Sequence, residues 1–107
     1  ISENYLENYS ENINPIPESI SIKAYPNPFN SNCKIEFELP HDEFLNIDIY
    51  SLRGEFIENL FSGKKSKGQH RYHWNVNSMF SDITSGIFFI SLTGERINAT
   101  RKILYLK

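Results

Sequence analysis

His70 and His73 stand three positions apart, and both could ligate a metal. On a strand, that spacing turns them to opposite faces, so they cannot grip one ion without a bulge. His41, Asp42 and Glu43 follow one another. Their spacing fits neither a zinc site nor a calcium loop, and the triplet reads as a solvated turn. Glu36 and Glu38 would share the outer face of one strand, about 7 Å apart along it, a separation compatible with a glycosidase pair. A flat, exposed face neither excludes water nor holds a sugar, so these carboxylates are read as surface charges. Cys33 alternates with apolar residues and reads as a small buried hydrophobe. No Gly-x-Ser-x-Gly elbow and no phosphate-cradling glycine loop occurs. The expectation is a domain without catalysis, metal or cofactor.

Composition narrows the alternatives. The chain has 107 residues, 39% of them hydrophobic and 14% aromatic, with a net charge of −2. That length can bury one core unaided. The charge provides no basic field for a phosphate backbone, which argues against nucleic acid. The single cysteine rules out an intramolecular disulfide. No stretch approaches the roughly 18 apolar residues that would span a bilayer as a helix. Residues 1–11 are polar and acidic and do not resemble a signal peptide. An export signal would therefore lie upstream in a longer precursor, or the chain is a mature fragment.

The elements that would carry these residues are strands. Residues 1–19, rich in Glu, Asn and Ser and ending near Pro15 and Pro17, read as a linker or extended arm; a strand donated to a neighbouring molecule is the sharper alternative. From residue 20 to 107 apolar residues recur every second position. Strands are expected over 20–25, 33–39, 45–50, 55–61, 69–75, 86–92 and 98–106. Residues 86–92 are apolar on both faces, as a central strand requires. Pro26 and Pro28 cannot sit inside a central strand. They remove two donors and fix φ, letting the chain bend between sheets without offering an open edge, while Asn27 bonds nearby backbone. Gly54, Gly86 and Gly94 supply positive φ or close backbone approach. Residues 62–68, with Lys64, Lys65 and Lys67, read as a solvated basic loop. Residues 75–84 form a polar connection that could present Phe80. Trp74 should cross the core with its indole nitrogen on a carbonyl. Seven short strands about ten residues apart predict an all-β, two-sheet antiparallel β-sandwich.

An ordered set of words runs through these strands: Tyr25-Pro26-Asn27-Pro28-Phe29-Asn30, Ile47-Asp48-Ile49-Tyr50-Ser51-Leu52-Arg53-Gly54, Gly68-Gln69-His70-Arg71-Tyr72-His73-Trp74, Ser85-Gly86-Ile87-Phe88-Phe89 and Thr100-Arg101-Lys102-Ile103-Leu104-Tyr105-Leu106-Lys107. The set resembles the type A C-terminal sorting domain of the type IX (Por) secretion system and the related immunoglobulin-like domain of flagellar hook-capping proteins. Two features depart from it. No Asp-Gly or Asn-Gly loop follows Trp74, and Cys33 stands where a small polar residue is usual.

The resemblance implies that the sandwich is immunoglobulin-like, an antiparallel β-sandwich of about seven strands, and that it is a non-catalytic domain directing secretion or surface attachment of a larger exported protein. Its partners would be the outer-membrane secretion machinery of a Gram-negative bacterium, reached through the periplasm, and a covalently linked upstream cargo domain. Pro26, Asn27, Pro28, Gly54, Gly86, Arg101, Lys102 and Lys107 are the candidate recognition or structural residues. The last strand could offer an open sheet edge to a partner, with Arg101, Lys102 and Lys107 adding positive charge. Those charges could equally serve only to keep an edge soluble. Two other functions fit a sandwich: a structural subunit that self-associates through residues 1–19, and a carbohydrate-binding module using Tyr25, Tyr50, Tyr72 or Phe80.

Overall fold

Alternating burial organises the chain into seven antiparallel strands in two sheets. A computed structural model describes residues 20–76 and 85–107. The strands are β1 (Ile22–Tyr25), β2 (Asn32–Leu39), β3 (Glu43–Ser51), β4 (Phe56–Lys65), β5 (Gly68–Asn75), β6 (Gly86–Gly94) and β7 (Asn98–Tyr105). One sheet has the order β1-β2-β5 and the other β4-β3-β6-β7. Relative to a constant-type immunoglobulin sandwich, the fourth strand sits beside the third rather than the fifth. The expected all-β sandwich is the observed fold.

The core lies between the sheets. Cys33, Ile35, Phe37 and Leu39 of β2 face Leu45, Ile47 and Ile49 of β3 and Phe88, Ile90 and Leu92 of β6, all buried. Each such side chain contributes about 1.5–3 kcal/mol by leaving water. Burial drives the Cys33 thiol pKa up to about 11, so the group stays neutral and packs as a hydrophobe.

Three sequence expectations change. The basic loop is mostly strand: Ser62 to Lys65 pair with Asn46 to Glu43, which leaves only Ser66 and Lys67 between β4 and β5. Lys65 is held there by the Phe61 and Tyr72 rings, 4.7 and 5.7 Å from its ammonium. Glu43 is buried rather than solvated, and its carboxylate accepts the Arg96 amide at 2.9 Å. Trp74 Nε1 donates to the Glu58 carboxylate at 2.8 Å, not to a carbonyl. Glu58 reaches the inside because β4 bulges against β3, so its alternation breaks.

Glycine is required at two turns. Gly54 takes a φ of 89° in the β3–β4 turn, where its amide donates to the Ser51 carbonyl. At Gly94 a Cβ would lie 2.8 Å from both Glu43 Cγ and the Phe44 carbonyl oxygen. The expected arm at 1–19 and most of the 75–84 connection, with Phe80, lie outside the described residues.

Candidate recognition site at the C-terminal strand

The last strand has β6 on one side, and its other side is the edge of the four-stranded sheet. Along antiparallel β7, backbone groups alternate between β6 and the outside. Those of Lys102, Leu104 and Leu106 point outward, and each meets a partner from residues 27–29. Asn27 Nδ2 donates to the Lys102 carbonyl at 3.2 Å, and the Leu104 amide donates to Asn27 Oδ1 at 3.0 Å. The Phe29 amide donates to the Leu104 carbonyl at 2.9 Å, and the Leu106 amide donates to the Phe29 carbonyl at 2.8 Å.

This arrangement is a short parallel ladder in which one rung is a side chain. Phe29 bridges Tyr105 in parallel register. The Asn27 carboxamide takes the bonds that a residue opposite Ile103 would make. The flanking Pro26 and Pro28 carry no N–H to compete. Both proline bonds, Tyr25-Pro26 and Asn27-Pro28, are cis. Between β1 and β2 the chain leaves the three-stranded sheet and reaches the β7 edge within a few residues. Phe29, itself buried, follows the clasp into the core, its ring 5.7 Å from Trp74 and 5.2 Å from Tyr105.

Two expectations are corrected by this geometry. Asn27 bonds backbone 75 and 77 residues away rather than its own turn. The β7 edge from Lys102 to Leu106 is occupied, so an incoming strand cannot add there without displacing residues 27–29. Sequence reasoning missed the contact because no local pattern signals a partner so distant in the chain.

The other candidate residues lie around the same end of the sandwich. Gly86 begins β6 opposite Tyr105, at a φ of 159° that is almost fully extended, with open space where a side chain would go. The Lys107 amide donates to Ser85 Oγ at 2.7 Å. Gly54 occupies the neighbouring β3–β4 turn. Arg101, Lys102 and Lys107 have exposed side chains. Arg101 sits at an inward position by strand parity, between Ala99 and Ile103, yet remains in solvent. A charge so placed discourages edge-to-edge pairing. The structure therefore brings Asn27 and Lys102 into contact, gathers Pro26, Pro28, Gly86 and Lys107 nearby, and leaves Arg101 apart.

The outer face of the three-stranded sheet is charged. Arg71 pairs with Glu36 at 2.5 Å, and Lys34 lies 5.3 Å from the centre of the Tyr25 ring. The Tyr25 hydroxyl, hydrogen-bonded to Glu36, holds that carboxyl below the usual carboxylate range; partial burial opposes the shift and Arg71 reinforces it. Among the described residues, no three His, Cys, Asp or Glu side chains come together as a metal site would require. A shallow depression lined by Lys23, Glu36, Glu38 and Arg71 lies on this face, with the pair Glu36–Arg71 inside it.

The family description "Secretion system C-terminal sorting domain" matches residues 23–106, which spans β1 through β7 and includes the clasp. The chain belongs to this family. No curated protein matches it in sequence. Among solved structures, the sulfur carrier protein SoxY from Chlorobium limicola f thiosulfatophilum is similar at a TM-score of 0.46 and 10% identity, over 99% of this chain and 97% of that one, too distant to bear on function. As a type IX sorting domain the sandwich is a C-terminal sorting signal, belongs to a non-catalytic family, and associates with the secretion machinery and a cargo protein. The protein that carries the sorting domain is secreted or displayed at the cell surface.

Proposed function

We propose that this sorting domain carries a larger exported cargo, joined upstream of residue 20, from the periplasm through the outer membrane of a Gram-negative bacterium and then to secretion or surface attachment. Residues 1–19 connect cargo and domain. Pro26, Asn27 and Pro28 act by fixing the C-terminal strand, while Arg101, Lys102 and Lys107 present charge to the machinery. Gly54 shapes the β3–β4 turn at the same end, where Gly86 begins β6. The observation that carries this reading is the match of the sorting family to residues 23–106, nearly the whole sandwich.

The test is a reporter with an export signal, fused ahead of the full 107-residue chain and expressed in a host with a type IX system. The expected result is reporter in the medium or on the cell surface, lost when the secretion machinery is deleted. A fused reporter that stays in the periplasm, as the unfused one does, would remove the proposal.

A further inference from the structure

The outward side chains of the four-stranded sheet fall into rows across β4, β3, β6 and β7. Two rows are wholly polar: Ser62, Asn46, Thr93 and Asn98, then Asn59, Asp48, Ser91 and Thr100. Their members bond one another, Asn59 Nδ2 to Asp48 Oδ1 at 2.7 Å and Ser62 to Asn46. The next row changes character abruptly. It reads Phe56, Tyr50, Phe89 and Lys102, and beyond it Ile87 pairs with Leu104. Leu106 continues the outward parity of β7. Phe56 is 58% exposed and Leu106 48%. The Phe56 and Tyr50 rings meet edge to face at 5.9 Å.

The result is a contiguous aromatic and aliphatic patch on one half of one face, at the end where the chain finishes β7. Nothing in the fold of the described residues covers it. Surface apolar residues scattered singly need no explanation, but a contiguous patch with a polar border marks an interaction site. Its charged neighbours are mainly cationic. Lys102 closes the aromatic row, Lys107 follows Leu106, and Arg53 lies in the exposed β3–β4 turn beside Glu55. The carboxylate of Asp48 is already engaged by Asn59.

We propose that this patch is the face by which the secretion machinery reads the domain, and that its partner there is a protein surface of apolar side chains bordered by carboxylates. The proposal rests on the sorting function. A signal must be read on an accessible surface, and the clasp has closed the β7 edge between Lys102 and Leu106. The opposite outer face is charged, with Lys23, Lys34, Glu36, Glu38 and Arg71 on it. Aromatic anchors within a polar rim are where binding energy concentrates. The cations at the rim select acidic partners and speed the encounter.

The experiment uses the reporter fused to the full chain in the type IX host. Phe56→Ser and Leu106→Ser remove exposed groups and leave the core intact. Each is expected to lower the secreted fraction about tenfold, the effect of losing one interface anchor. Lys102→Glu should do the same, Lys102→Arg should not, and Lys23→Glu on the opposite face should secrete like the unsubstituted chain. Melting temperatures of the purified variants within a few degrees of the unsubstituted chain exclude unfolding as the cause. As a readout independent of substitution damage, a photo-cross-linking residue at position 56 should form an adduct with a secretion-machinery protein that Lys102→Glu abolishes. Normal secretion of folded patch variants would overturn the proposal. So would an adduct from position 56 only to residues 1–19 or to a second copy. If the unsubstituted fusion itself fails to leave the cell, it is the sorting function that falls.

Discussion

The two long sides of the sandwich are closed by different means. On the β1–β7 side, residues 27–29 cross from one sheet to the other and hydrogen-bond the edge strand, so the seam is made largely of backbone and the one carboxamide that imitates it. On the β4–β5 side no backbone bond joins the sheets among the described residues. There Trp74 donates to Glu58, the Phe61 and Tyr72 rings meet at 5.6 Å, and the Lys65 ammonium caps both. The backbone seam depends on a few fixed polar atoms. The side-chain seam depends on packing, and it tolerates one polar misfit, the buried Tyr72 hydroxyl that lacks a partner. The C-terminal strand is thus hydrogen-bonded along both edges, to β6 on one side and to residues 27–29 on the other.

The contrast can be broken most severely at Phe29, where the backbone seam enters the core. Phe29→Ala should cost about 3–5 kcal/mol, the usual range for emptying a buried aromatic site. It should appear as a large fall in the urea midpoint with an unchanged slope. On the other seam, Glu58→Ala leaves the indole N–H of Trp74 buried without an acceptor and should cost about 1–3 kcal/mol. Glu58→Gln keeps an acceptor and should recover most of that loss in the same titration. Asn27→Ala removes two hydrogen bonds at a partly hydrated edge and should cost about 1–2 kcal/mol. Asn27→Asp retains the acceptor for Leu104 but turns an anion toward the Lys102 carbonyl, and should not rescue stability at neutral pH. The smallest effect has the opposite sign. Tyr72→Phe deletes the unpartnered hydroxyl, keeps the ring stack with Phe37, and should leave the melting temperature unchanged or raise it, by at most about 1 kcal/mol of added stability.

Alternation made most of the sandwich legible in the sequence. Cys33 to Leu39 and Leu45 to Ile49 show a clean period of two because one face is core and the other solvent, and the apolar run from Gly86 to Ile90 does belong to a central strand, flanked by β3 and β7, with Phe88 and Ile90 in the core and Ile87 and Phe89 on the outer patch. The pattern failed where pairing overrode composition. Gly63, Lys64 and Lys65 look like a loop and are strand, since β3 extends beside them to Glu43. The bulges in β4 turned Glu58 inward, and no periodic reading finds a carboxylate poised for a tryptophan. Around the candidate site, Pro26, Asn27 and Pro28 were visible as a break between strands. Their bonding partners were not, because they lie more than seventy residues away and recognition is by backbone atoms that every residue carries.

The central structural claim is that the outer edge of the C-terminal strand is shut. Amide hydrogen exchange tests it residue by residue in the intact chain. The Leu104 and Leu106 amides, bonded to Asn27 and Phe29, should exchange slowly, while the Thr100 amide, on the same outward edge beyond the clasp, exchanges fast. In Asn27→Ala the Leu104 amide should lose its protection while the amides of β6 and β3 keep theirs. Exchange at Leu104 and Leu106 as rapid as at Thr100 in the unsubstituted chain would show an open edge, and strand addition at the C-terminus would again be available to a partner.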